Sequence, residues 1–271
     1  MQVDKKSIVV VIPMYKSLIN TNEKISLEQV LEVLGDYDIY FVVPESLSFR
    51  QDQLIPSNPF LKKTNFIRFA DKWFTSSIEY SKLLVSKGFY QAFDQYSFML
   101  LYQLDAYVFY DALQEWASKG YDYIGAPWTE KEEKEFFRSM YRGKLKIIFS
   151  FMRTINKFLF GKKDYSIGNG GLSLRNIKKS IKALSVLSFL AKRWTIHEDI
   201  FWGMAAPTLY PFFKVPDKKN ALNFSFEKEP QKLFEMNGNK LPFGCHAWEK
   251  YDSAFWNQYI PSKKPTLTRI S

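Results

Sequence analysis

The chain has a single cysteine, Cys245, among 271 residues, which excludes any internal disulfide and fits a reducing compartment. No apolar run approaches the roughly 18 residues a membrane-spanning helix needs, so a soluble or peripheral protein is expected. The opening MQVDKKSIVVVIPMY has too short an apolar stretch for a secretory leader and no small-residue cleavage site; it reads as a strand. There is no internal repeat and no low-complexity linker. The 12 glycines form neither a P-loop nor a dinucleotide fingerprint. No nucleic-acid-binding motif accompanies the positive charge, so nucleic acid is not an expected partner.

What is present is aromatic and basic. Hydrophobic residues make up 46% and charged residues 24%, a globular composition. The 25 Phe, 16 Tyr and 7 Trp suit an aromatic core, or stacking surfaces for bases and sugar rings. Much of the net charge of +10 lies between Arg138 and Lys163, where Arg142, Lys144, Lys146, Arg153, Lys157 and Lys162 are interleaved with IIFSFM and FLF. That basic amphipathic pattern suits an anionic membrane surface, and equally the solvated face of an ordinary helix.

Apolar, β-branched runs at Ser7–Pro13 and in DIYFVVP read as buried strands, with a helix between them whose Leu27, Val30, Leu31 and Leu34 recur at helical spacing. Ser26 with Gln29 is a plausible capping box for that helix, and Gly35 its end. After a loop holding Pro56 and Pro59, further strands are expected at FIRFA, from Phe98 to Asp105, and in YDYIGAPW; helices are expected at Ser77–Lys87, Phe89–Tyr96 and Asp111–Gly120. Strand, helix, strand with continuous apolar strands predicts an α/β fold with a mostly parallel central sheet flanked by helices. Such sheets hold ligands at the carboxyl ends of their strands.

Four segments carry candidate chemistry. Asp105 follows a buried strand, where a carboxylate can reach a diphosphate-bound cation; a turn or helix-capping aspartate has the same setting. In Ile167-GNGGLSLRN, Gly168, Gly170 and Gly171 around Asn169 let a ligand approach the backbone, and Arg175 is placed to meet negative charge, although ordinary turns use glycine clusters too. His197-Glu198-Asp199 supplies two carboxylates suited to a general base, or simply to the start of a helix. His246, in PFGCHAWEKYD, is one of only two histidines: a metal or phosphate ligand, or a hydrogen-bonded core residue. Cys245 lacks a basic partner and is discounted as a nucleophile.

LLYQLDAYVFYDAL, YDYIGAPW, IGNGGLSLRN, HEDIFWG and PFGCHAWEKYD, in this order from Phe98 to Asp252, resemble a bacterial family of unknown function numbered 5672, thought to be GT-A-type glycosyltransferases. The resemblance implies a single GT-A-like domain over 1–260, with a nucleotide-binding half at 1–128, a basic amphipathic insertion at 129–163, an acceptor and catalytic half at 164–260, and a tail at 261–271. It implies transfer of a sugar from a nucleotide-diphosphate donor, a UDP-sugar first among them, to a hydroxyl of a glycan or lipid-linked acceptor. Surface polysaccharide synthesis at the cytoplasmic face of the inner membrane is the expected setting.

On the same basis Asp105 and His246 would hold a divalent Mn or Mg ion, with the second acid of Asp-x-Asp missing after Asp105. Asn169, Gly170, Gly171, Arg175, Trp128 and Trp248 would contact substrate. Glu198 and above all Asp199 would supply the base of an inverting reaction. A non-catalytic glycan- or nucleotide-sugar-binding protein at the membrane surface is the competing reading.

Overall fold

A computed structural model describes residues 3–48, 64–140, 145–160 and 167–261. Its centre is a six-stranded sheet in the order β3-β2-β1-β4-β7-β6, built from β1 (Ile8–Pro13), β2 (Asp38–Pro44), β3 (Asn65–Phe69), β4 (Phe98–Tyr102), β6 (Tyr123–Ile124) and β7 (Leu172–Asn176). Neighbours from β3 to β4 pair in parallel; β7 runs antiparallel between β4 and β6. The sheet is therefore mixed, with its parallel part in the N-terminal half. A second sheet joins β5 (Tyr107–Val108), β9 (Gly244–Cys245) and β8 (Ser225–Phe226) in that order.

The central strands are apolar throughout because both faces are covered. Ile8, Val10 and Ile12 point into one core with α1 (Thr21–Leu34), while Val9 and Val11 point into the other with α2 (Ser77–Leu84) and α3 (Lys87–Gln91). The first core also takes Leu113 and Trp116 of α4 (Leu113–Ser118). The second also takes Phe149 of α6 (Leu145–Phe160), which follows α5 (Glu130–Met140), and Ala183 and Leu184 of α7 (Ile177–Val186). Period-two alternation with both sides buried is what a helix-covered sheet requires. Each fully buried Val, Leu or Ile contributes about 1.5–3 kcal/mol.

Several boundaries differ from the sequence expectation. Helix α1 begins five residues before Ser26: Asn20 is its N-cap, accepting from Glu23 N at 2.8 Å, while Glu23 Oε2 accepts from Asn20 N at 2.8 Å. Ser26 is buried inside the helix and receives the Trp248 indole N–H. Strand β4 stops at Tyr102 rather than running to Asp105. Gln103 N still donates across to Gly171 O at 2.8 Å, and the Ala106 N bond to Gln103 O at 2.9 Å then turns the chain out of the sheet. The helix expected over Ser77–Lys87 ends at Leu84, and α3 starts afresh from the Ser86 cap. In YDYIGAPW only Tyr123 and Ile124 are strand. The loop around Pro56 and Pro59 and nearly all of the 261–271 tail lie outside the described residues.

Candidate active site

The carboxyl edge of the parallel strands opens into a cavity of about 480 Å³. Pro13 to Lys16, leaving β1, form one wall; Gln103 to Asp105, leaving β4, form another. Tyr80 of α2 lines it as well. Tyr15 lies at the mouth with 64% of its surface exposed, an aromatic face free to meet a ligand.

The small second sheet brings distant residues to this edge. Tyr107 pairs with Cys245 antiparallel, and Phe226 pairs with Cys245 in parallel, so Asp105, His246 and Glu227 fall side by side just beyond their strands. His246 Nε2 lies 3.1 Å from Asp105 Oδ1 and 3.2 Å from Gln103 Oε1; its Nδ1 lies 3.2 Å from Glu227 Oε1. Burial alone would lower the pKa of His246, but Asp105 and Glu227 outweigh it and hold the imidazole up at about 10. Burial works against ionisation of Asp105, yet His246 keeps it below the ordinary aspartate value. Cys245 is fully buried and its thiol is pushed well above its usual range by that burial, which leaves it inert.

Neither Gln103 nor Glu227 was expected from the sequence. Gln103 is two residues before Asp105 and brings an amide oxygen to the same histidine nitrogen. Glu227 gave no signal, because only the pairing of two-residue strands places it on the histidine.

The glycine loop lies against this group. A Cβ on Gly171 would collide with the His246 ring, one on Gly170 with the Glu198 carboxylate, and one on Gly168 with the Trp128 indole. Asn169 adopts a left-handed conformation at φ 64°; its Oδ1 accepts from Gly171 N, and its Nδ2 is buried with no partner among the described residues. A buried donor without a partner costs about 1–3 kcal/mol and marks a place where a ligand oxygen would be welcome.

Behind the loop the two carboxylates of His197-Glu198-Asp199 separate. Glu198 is 6% exposed and accepts from Arg175 Nη2 at 3.1 Å. Asp199 is only half-buried; its oxygens accept from Asn169 N at 3.2 Å and Ile200 N at 2.8 Å. Burial first, then the charges of Glu198 and Glu227, raise Asp199 to about 7. A carboxyl near neutrality is suited to proton transfer. The helix that starts at Glu198 widens into a π-helical turn over Phe201–Ala205, where Gly203 lets it pack onto the Ile167 carbonyl.

Three of the expected substrate contacts are buried side chains. Arg175 is 0% exposed: it lies on β7, covered on both faces, and donates to Ser173 Oγ, Tyr90 OH and Glu198. Its donors hold the protein together and do not reach out to a ligand. Trp128 is 1% exposed beneath Gly168, and Trp248, at 5%, donates its indole N–H to Ser26 Oγ. Both rings are core, with no face left for a sugar. Glu198, expected with Asp199 as a base, is likewise buried and held by Arg175.

Among the described residues no three His, Cys, Asp or Glu side chains form a closed metal cage. Asp105 instead offers an oxygen at the cavity edge with Gln103 Oε1 near it, and His246 Nε2 becomes a second ligand only when a cation displaces the proton that Asp105 and Glu227 hold on the ring. That set fits a hard divalent ion that completes its shell with phosphate oxygens and water.

Residues 63–246, more than half of the chain, match the family described as "Protein of unknown function (DUF5672)". The chain belongs to this family. No curated protein matches it by sequence. Among solved structures, the galactosyltransferase LgtC in complex with donor and acceptor sugar analogs is similar with a TM-score of 0.53 and 13% identity, covering 95% of this chain and 97% of that one. Mouse xyloside xylosyltransferase 1, in its apo form, gives 0.53 and 13%, covering 88% and 96%. The apo form of the glycosyltransferase GlyE from Streptococcus pneumoniae TIGR4 gives 0.50 and 13%, covering 95% and 60%. Identities this low carry the fold alone. This DUF5672 member has a GT-A-like fold.

Proposed function

We propose that the chain is a glycosyltransferase that moves a sugar from a nucleotide-diphosphate donor, a UDP-sugar first among candidates, to a hydroxyl of a glycan or lipid-linked glycan. One observation carries the reading. Asp105, Gln103 and His246 converge at the edge of a cavity at the carboxyl ends of the parallel strands, and a half-buried Asp199 lies across the glycine loop from them.

The nucleotide would lie in the cavity with its base near Tyr15 and its diphosphate toward Asp105. A Mn or Mg ion held by Asp105 and His246 would offset the charge that collects on the departing diphosphate. Glu227 keeps the His246 ring in register for that task. Asn169 Nδ2 would donate to a hydroxyl of the bound sugar. Asp199, ionised above about pH 7, would accept the acceptor proton as the acceptor oxygen bonds to the anomeric carbon and the diphosphate leaves. The products are the glycoside, the nucleoside diphosphate and one proton.

Release of nucleoside diphosphate from a panel of nucleotide sugars, with Mn, Mg or chelator, tests the reading. The Asp199→Asn variant should keep donor binding by thermal shift and lose turnover. Base-assisted single displacement inverts the anomeric centre, so retention in the product would remove Asp199 from that role. Donor binding without turnover in the wild type would leave a binding protein in place of an enzyme.

A further inference from the structure

Helix α6 carries an apolar face that nothing among the described residues covers. Ile147, Phe151 and Phe158 are 75%, 64% and 88% exposed. At 3.6 residues per turn they lie within about 40° of one another around the helix, along a line of about 16 Å. Phe149, on the opposite side, is buried in the sheet-facing core and fixes which way the helix faces. Large apolar side chains exposed singly are ordinary; three aligned on one helix with two phenylalanines are not.

The sequence around this face is basic only. From Arg138 to Lys163 it holds Arg138, Arg142, Lys144, Lys146, Arg153, Lys157, Lys162 and Lys163 and no acidic residue. We propose that the Ile147–Phe151–Phe158 face of α6 inserts into the headgroup and upper acyl region of an anionic lipid bilayer. An exposed apolar helix face within a stretch of sequence that carries eight basic and no acidic residues has the composition of an in-plane amphipathic helix on anionic lipid. A second copy of this chain fits the face poorly, since it would bring the same excess of positive charge against it. No helix among the described residues is long and apolar enough to cross a membrane, so the attachment is interfacial. This inference does not depend on the transferase reading.

The test is co-sedimentation of the full chain with phosphatidylcholine vesicles, with and without phosphatidylglycerol, at physiological salt. The wild type should pellet with the anionic vesicles only. Ile147→Ser, Phe151→Ser and Phe158→Ser together should weaken that by about tenfold or more, with thermal unfolding and any turnover of a soluble acceptor unchanged. As a single-site check, Phe158→Trp should blue-shift on binding and be quenched by brominated lipid. Pelleting that the triple substitution leaves intact, no pelleting with either vesicle, or a concentration-dependent dimer abolished by the same substitutions would each overturn the proposal.

Discussion

Arg175–Glu198 and Asp105–His246 are both acid–base pairs at about 3.1 Å, on either side of the same glycine loop, and they do opposite work. The first is sealed: Arg175 is fully buried, stays protonated, and has its donors spent on Ser173, Tyr90 and Glu198. The second borders a cavity, with about a third of the Asp105 side chain exposed. Once water is excluded, a charge becomes part of the scaffold; where water or a ligand still has access, the same charge is free for chemistry. The sealed pair fixes where the loop lies, and the open pair uses that placement.

The contrast is broken most sharply at Glu198. Glu198→Ala leaves the Arg175 guanidinium buried without its counter-charge, and loss of one partner of a buried ion pair costs about 3–5 kcal/mol. Asp105→Ala, at the pair that borders the cavity, should cost less, because the partly exposed site lets water reach the His246 ring, while removing metal-dependent donor binding. Urea denaturation of both variants measures the difference. Equal losses would mean that the two pairs are not distinct in kind.

A smaller effect separates Asp199 from Glu198. The folded-state pKa of Asp199 is about 7 against an ordinary 3.8, raised by burial and by the charges of Glu198 and Glu227. Between these values the folded protein keeps a proton that the unfolded chain releases. The stabilising contribution is therefore whole below about pH 4 and is lost as pH rises through about 7, by at most about 1.4 kcal/mol per pH unit. Asp199→Asn has no such proton, so the stability difference between wild type and variant should move against the wild type from pH 5 to 8. Turnover should run the other way, rising through about pH 7 as the base ionises. A flat difference across that window would return Asp199 to an ordinary surface carboxylate.

Much of this architecture is legible in the residues. Continuous β-branched runs at Ile8–Pro13 and Asp38–Pro44 can only be satisfied by a sheet covered on both faces, and the structure has that sheet. What stayed hidden depends on non-local pairing. Leu104 prolongs an apolar run, so nothing in the pattern says that β4 has already turned out at Gln103. Two-residue strands leave no periodicity, yet β5, β8 and β9 assemble Asp105, His246 and Glu227. Arg175 shows where local chemistry misleads: an arginine after a glycine cluster looks like an anion contact. Its alternation with Leu172 and Leu174 placed it instead on the second face of a strand that is itself buried. Ser26 is an adequate cap in isolation, and only the reciprocal Asn20–Glu23 bonds decide for the earlier start.

The mildest change sharpens the comparison from the open side. Tyr15 lines the cavity with its ring largely exposed, so truncating it removes no core packing. If a nucleotide base stacks there, Tyr15→Ala should weaken nucleoside diphosphate binding by about 1–3 kcal/mol, the usual range for base–aromatic stacking. Stability without ligand should stay within about 0.5 kcal/mol, as for most surface substitutions. Calorimetric titration of the nucleotide into both proteins, paired with Tyr15→Phe, separates stacking from the hydroxyl. Phe should bind as the wild type does and Ala should not. Equal binding by all three would place the base on another wall of the cavity, while leaving Asp105 and His246 where the diphosphate reading needs them.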